Sequence, residues 1–113
     1  MAFIYLASPY THKDHDVMEE RYQQVMRYSA QMLRDGKHNY SPIVHCHEMA
    51  KAHDLPREFD FWVDYNKSML EQAKDLYVLA LEGWQESVGI KAEIELAKAM
   101  LIPTQVIVPV FHK

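Results

Sequence analysis

The sequence predicts an α/β protein built on a parallel sheet with helices on both faces. Three observations lead there. Ala2–Ala7 (AFIYLA) and Leu76–Leu81 (LYVLAL) are continuous apolar runs rather than alternating ones, as expected of strands buried on both sides. Segments with helical spacing of apolar residues separate the strand-like runs. Gly36, Pro42, Pro56 and Pro103 stand at the joints. The order reads β-α-β-α-α-β-α-β, which implies right-handed crossovers.

Each element follows from local chemistry. After Ala2–Ala7, Ser8-Pro9-Tyr10-Thr11 ends the strand, and Asp14 or Asp16 can cap a helix, with Glu19 three residues beyond Asp16 as in a capping box. Met18, Tyr22, Val25, Ser29, Met32 and Leu33 then recur at helical spacing until Gly36 supplies a left-handed stop. Asn39–Val44 reads as a short second strand that Pro42 confines to an edge or ends early, followed by a short helix or turn over His45–His53. Pro56 suits the start of a third helix carrying Phe59, Trp62, Val63, Met69, Leu70 and Ala73. Ser87 is an N-cap for a helix over Val88–Leu101, with Ile90, Ile94, Ala97 and Leu101 as its buried stripe. Pro103 breaks that helix, and Gln105–Val110 is the last strand.

Composition narrows the function classes. A chain of 113 residues with 49% apolar and 25% charged residues is one globular domain. A net charge of −4, without any block of Lys and Arg, argues against nucleic acid as a partner. The single Cys46 excludes a disulfide framework and a cysteine-based zinc site. No apolar stretch approaches the ~20 residues that span a bilayer. Met1–Ser8 lacks a basic n-region and is not read as a signal peptide, so the expectation is a cytoplasmic protein without a membrane partner.

In parallel α/β folds ligands bind beyond the carboxyl ends of the strands, which singles out the loops Ser8–Thr11, Pro42–His47 and Gly83–Gly89. Ser87 and Gly89 open a helix whose free N–H groups favour an anion. Glu93 follows Gly89 by one turn at the edge of the buried stripe. It can face the crevice as nucleophile or base, or else be a solvated helix residue; Glu95, about 200° around, faces solvent. Tyr5, Ser8, Tyr10 and Thr11 gather hydroxyls that can hold a sugar or phosphate, unless Tyr5 is core and Ser8-Pro9 an ordinary turn. His45 and His47, followed by Glu48 and His53, form a loop pair that can chelate but has no evident third ligand, so no metal is expected. Asp64 is the carboxyl that can reach the crevice as acid or base, Asp75 a turn residue, and Trp62 and Trp84 core or pocket wall. Without Gly-x-Gly-x-x-Gly or a P-loop lysine, dinucleotide and ATP sites of those types are disfavoured, and no cofactor is expected.

Together, IYLASPYTH near the start, SPI after the second strand and GWQESVGIKAEIELAKAMLIP near the end resemble the nucleoside 2-deoxyribosyltransferase and 2-deoxynucleoside 5-monophosphate N-hydrolase superfamily, in particular a small bacterial and phage branch with the pattern G-W-x-x-S-x-G-x-x-x-E. The likeness covers most of the chain and is weakest in the middle. It implies a flavodoxin-like, Rossmann-like doubly wound sheet of four to five strands over residues 1–113. It also implies N-glycosidic chemistry on a nucleoside or nucleotide, by base transfer or hydrolysis, in a homo-oligomer that is a dimer or higher. By the same resemblance Glu93 attacks C1 of the sugar, Tyr5 steers it, and Ser87 contacts the 5′-hydroxyl or 5′-phosphate. Ser8 and Tyr10 line the sugar end, with Gly89, His45 and Trp84 as further substrate contacts. The family's acid on the preceding helix falls near Asn66–Lys67, and Asp64, one turn earlier, is its substitute. Two other readings compete: a non-catalytic nucleotide or nucleotide-sugar binding module, and a structural domain with Trp62, Tyr65 and Trp84 at an interface.

Overall fold

The computed structural model describes residues 3–56 and 58–109. Its elements run β1 (Ile4–Ala7), α1 (His15–Arg34), β2 (Asn39–Tyr40), α2 (Pro42–Ala52), α3 (Phe59–Glu71), β3 (Asp75–Leu79), a 3-10 turn (Trp84–Glu86), α4 (Val88–Ala99) and β4 (Thr104–Ile107). The strands form one parallel four-stranded sheet in the order β2-β1-β3-β4. This is the expected α/β, flavodoxin-like doubly wound arrangement. Ala2 and Val110, expected at the ends of the first and last strands, lie outside the described residues.

The two central strands divide their side chains between the faces. Tyr5, Ala7, Leu76 and Val78 pack with Leu70 of α3 and Ile90 and Ala97 of α4. Ile4, Leu6 and Leu79 turn the other way, onto Val25 and Met32 of α1, with Ile43 and Val44 of α2 against them. The period of two therefore operates within runs that are apolar throughout, because both faces are covered. Ile4↔Asp75 through Ala7↔Val78 set the β1–β3 register. On α1, Met18, Tyr22, Val25, Ser29 and Met32 are buried as the spacing predicts, whereas Leu33 is 55% exposed. Ser29 donates to Asn39 Oδ1 at 2.5 Å, tying α1 to β2.

Several boundaries differ from expectation. Asp14 caps α1, accepting from Asp16 N at 2.9 Å, so the Asp16–Glu19 capping box does not form and Glu19 is free to turn elsewhere. The second strand stops at Tyr40: Ser41 caps α2 through Val44 N (3.1 Å) and Pro42 takes the first helical turn, where its missing N–H costs nothing. Pro56 does not open α3, which begins at Phe59; the Pro56 carbonyl instead accepts from Trp62 Nε1 at 2.7 Å. β4 is an edge strand with mostly exposed side chains.

Three helices end in the same way. After α1, Lys37 N bonds Met32 O at 2.9 Å; after α2, Leu55 N bonds Ala50 O at 2.9 Å; after α4, Ile102 N bonds Ala97 O at 2.8 Å. Each is a Schellman closure whose turning residue is left-handed: Gly36 (φ 79°), Asp54 (φ 53°) and Leu101 (φ 59°). Leu101 therefore does not belong to the buried stripe of α4; it lies past the helix end and is 90% exposed. A leucine there is strained and buries little, so Leu101→Gly is expected to stabilise the fold by about 0.5–1 kcal/mol. Urea denaturation measures this directly; an unchanged or lower midpoint would contradict the assignment.

Candidate functional site

The connections leaving β1 and β3 turn to opposite sides of the sheet, and the carboxyl ends of these two strands face a cleft of about 450 Å³. Four segments line it. Ser8, Tyr10 and Thr11 follow β1. Ile43, Cys46, His47 and Ala50 present one face of α2. Phe59, Trp62 and Asn66 come from α3, and Glu86–Gly89 with Glu93 from the start of α4.

Glu93 lies at the bottom of this cleft, 8% exposed, because it shares the inward stripe of α4 with Ile90 and Ala97. The fully buried Tyr5 of β1 donates its hydroxyl to Glu93 Oε2. Burial pushes the Glu93 carboxyl up to about 7, and the Tyr5 hydrogen bond pulls only partly against it. Burial, then the neighbouring Glu93, drives the Tyr5 phenol strongly upward, so Tyr5 keeps its proton and acts as a donor. The arrangement leaves Oε1 of a poised carboxyl for a ligand.

Around it stand polar groups suited to a sugar or phosphate. Ser87 caps α4, accepting from Ile90 N at 3.2 Å, and retains its hydroxyl hydrogen. At Gly89 an added methyl would meet Phe59 Cδ1 at 3.7 Å and Ser87 Oγ at 3.9 Å, ordinary contacts, so packing does not require the glycine; it keeps the helix start open to the cleft. Ser8 Oγ and Asn66 Oδ1 are buried without a hydrogen-bond partner among the described residues, and both residues line the cleft. Buried polar atoms of this kind are what a ligand satisfies. Arg21 straps two of the walls together: Nη1 donates to the Tyr10 and Thr11 carbonyls at 3.3 and 3.2 Å, and Nη2 to the Glu82 carbonyl at 3.3 Å. A Cβ on Gly83 (φ 89°) would come within 2.6 Å of Arg21 Nη2, so the strap needs glycine there.

Three expected contacts are not made. His45 and His47 lie on a helix, not a loop, and residues two apart point to different sides. His47 is 2% exposed and lines the cleft; His45 is exposed and stacks on Tyr65 outside it (6.2 Å, 5°). The pair therefore cannot chelate together. On α3 the residues at the cleft are Phe59, Asp60 (exposed, at the rim), Trp62 and Asn66, and Asp64 is exposed and off the cleft. Trp84 packs against the core cluster rather than lining the cleft. Tyr5, Ser8, Tyr10, Ser87, Gly89 and Glu93 do converge. The sequence reading missed Cys46 and the Arg21 strap, and it set aside Asn66, near which the resemblance places the family's acid, in favour of Asp64. The spacing Ile43, Cys46, His47, Ala50 is a helical stripe that carried the signal for α2 once Ser41-Pro42 is read as a helix start.

Behind His47, Glu19 and Glu48 gather with it as oxygen and nitrogen donors within 4.8 Å of one another. Lys51 Nζ already sits 3.4 Å from Glu19 and 3.8 Å from Glu48, which makes this an ion-pair cluster rather than a cation's seat. No helix among the described residues is long and apolar enough to cross a membrane.

A doubly wound α/β domain with a buried carboxyl at its switch-point cleft is the class that fold and site define. The chain belongs to the family described as Domain of unknown function (DUF1937), whose model matches residues 2–109. Comparison with curated proteins gives no match.

The raised Glu93 carboxyl has a cost. Its folded-state value lies above its unfolded one, so its contribution to stability is full below about 4.5 and is lost as pH rises through about 7. Glu93→Gln, which keeps an acceptor for Tyr5, is expected to be more stable than the wild type at pH 8 by on the order of 3 kcal/mol, since each tenfold change in proton affinity is worth ~1.36 kcal/mol. The gain should vanish near pH 4.5. Thermal melts across this range check it; a pH-independent difference would refute the burial account.

Proposed function

We propose that the protein breaks the N-glycosidic bond of a nucleoside or nucleoside monophosphate through a covalent glycosyl-glutamate on Glu93, then passes the sugar to water or to another base. The observation that carries this reading is the Glu93 carboxyl, buried at the cleft floor with one oxygen held by Tyr5. A buried, unneutralised carboxyl is costly, and the resemblance to the nucleoside 2-deoxyribosyltransferase superfamily gives it a role.

Cleavage of the C–N bond develops oxocarbenium character at C1, which a carboxylate on one face stabilises and traps. Tyr5 fixes the carboxylate so that Oε1 attacks. The departing base takes the bonding electron pair and a proton. In the second step water or an acceptor base attacks C1 from the opposite face, the ester bond breaks, and Glu93 is regenerated with net retention at the sugar. The helix start at Ser87–Gly89 would bind the 5′-hydroxyl or 5′-phosphate, and Ser8 Oγ a sugar hydroxyl. Phe59 and Trp62 would flank the base, with the Asn66 amide on its edge. The proposal includes a homo-oligomer and needs no cofactor.

One observation favours a second reading, a nucleotide-binding module without turnover: Asn66, where the resemblance places the acid, has no acidic proton, and Asp64 is turned away.

The purified protein incubated with deoxynucleosides and their monophosphates, with and without a second free base, is expected to release or exchange the base. Glu93→Ala should lose this completely while folding normally. Saturable binding without base release by the wild type would select the second reading. Because only the carboxylate attacks, the pH profile of kcat/KM should carry a rising limb at about 7. Tyr5→Phe removes the contact that lowers the Glu93 carboxyl, so its rising limb should move to higher pH. An unmoved limb would mean that another group titrates.

A further inference from the structure

The glycosyl-glutamate reading has no buried proton donor for the leaving base, since Glu58, Asp60 and Glu86 line the cleft only as exposed carboxyl groups, and a chain of three side chains on the opposite wall has no part in it. We infer that Tyr10 hands the proton to the departing base and takes it back in the second step, with His47 and Glu19 as the relay behind it. The inference rests on the glycosyl-glutamate reading and assigns the role that Asn66 and Asp64 leave vacant.

The geometry is that of a carboxylate, an imidazole and a hydroxyl in series. The Tyr10 hydroxyl, on the loop after β1, lies 2.6 Å from His47 Nδ1. His47 Nε2 lies 3.0 Å from Glu19 Oε1 on α1. Gln23 Nε2 donates to Glu19 Oε2 at 2.9 Å, and Lys51 Nζ lies 3.4 Å from Oε1. Hydrogen bonds from Gln23 and His47 hold the Glu19 carboxyl down to about 2, so it is an acceptor only. Nε2 must therefore carry a hydrogen, and Nδ1, facing Tyr10, is the position that can gain or lose one. Packing holds the ring in the orientation this transfer needs. His47 is 2% exposed, and Tyr22 stacks on it at 4.1 Å and 19°. Glu19 and Tyr22 from α1, Glu48 and Lys51 from α2, and Tyr10 from the loop are the titratable groups around it. Tyr10 and Glu93 line the same cleft.

The protons balance over the cycle. In the first step the Tyr10 hydroxyl proton goes to the base as the C1–N bond breaks and the C1–O bond to Glu93 forms; the Nδ1 proton of His47 moves to Tyr10. Glu19 stabilises the imidazolium that starts this step. In the second step the attacking water gives a proton to Tyr10, whose own returns to Nδ1, as the ester bond breaks. Tyr10 is the catalytic residue; His47 and Glu19 are positioning residues.

The test uses two leaving groups. One substrate is a natural deoxynucleoside or its monophosphate, whose base must be protonated; the other is a nitrophenyl 2-deoxyriboside, whose phenolate leaves without a proton. Tyr10→Phe is expected to slow the single-turnover cleavage of the natural substrate by roughly 10²–10³-fold and to leave the nitrophenyl substrate within a few-fold. His47→Gln should show the same selective loss, and Glu93→Ala should cleave neither. Equal losses on both substrates, or none, would overturn the inference while leaving the Glu93 reading intact. So would a selective loss in Asp60→Asn, which would place the acid on the cleft rim. Failure of the wild type to cleave either substrate would overturn both. Nitrogen-15 spectra of His47 add a readout independent of turnover. Nε2 should be protonated and Nδ1 should shift in Tyr10→Phe; an unprotonated Nε2 or an unmoved Nδ1 would overturn the relay.

Discussion

The contact between Glu93 and Tyr5 is the constraint around which the molecule is arranged. It joins the first strand to the last helix across the β1–β3 interface, at the point where the sheet's connections part. A carboxyl there cannot be left to water, so the chain supplies a hydroxyl from a strand with all four side chains buried. That requirement fixes the rotation of α4: Ile90, Glu93 and Ala97 must share its inward face. The Ser87 cap then follows at the cleft mouth, because Glu93 lies six positions beyond it on the same helix. Core packing and the floor of the site are thus one set of contacts.

The rest of the cleft is built from walls that meet this floor from different parts of the chain. Arg21 ties the β1 loop to the β3 loop through three carbonyls. The α2 wall is anchored by its Ser41 cap directly after β2. Each wall is fixed by backbone chemistry, which leaves the side chains within the cleft to be chosen for a ligand. Ser8 Oγ and Asn66 Oδ1 have no hydrogen-bond partner among the described residues, and packing does not demand the glycine at position 89.

What could be read from the sequence divides along the same line. The α4 site was legible because its information is local: a cap, a glycine and a carboxyl at fixed offsets on one helix. The strand order, the Gly36 stop and the α1 stripe were legible from period and punctuation. α2 is obscured because Pro42 reads as a strand breaker, although Ser-Pro also starts a helix; the strand reading moves His45 from the outer surface to the expected pocket. Asp64 failed on helix register, since two residues' difference from Asn66 turns a side chain most of the way around. The contacts of His47 with Glu19 and Tyr10 span 28 and 37 residues and leave no periodic trace.

Arg21 has a consequence at long range as well. Its partners are carbonyl oxygens, dipoles that orient a guanidinium without cancelling it, so a full positive charge stays beside the cleft. The chain as a whole carries −4 and repels anions at a distance. Glu58, Asp60, Glu86 and Glu93 line the cleft itself, so an approaching anion runs against both the mean field and these groups, and Arg21 counters them only within the region that its charge reaches. Ionic strength sets that region's size: at physiological salt it reaches ~8 Å, and in dilute buffer it widens, so the capture rate of an anion is a property of the solution as much as of the site.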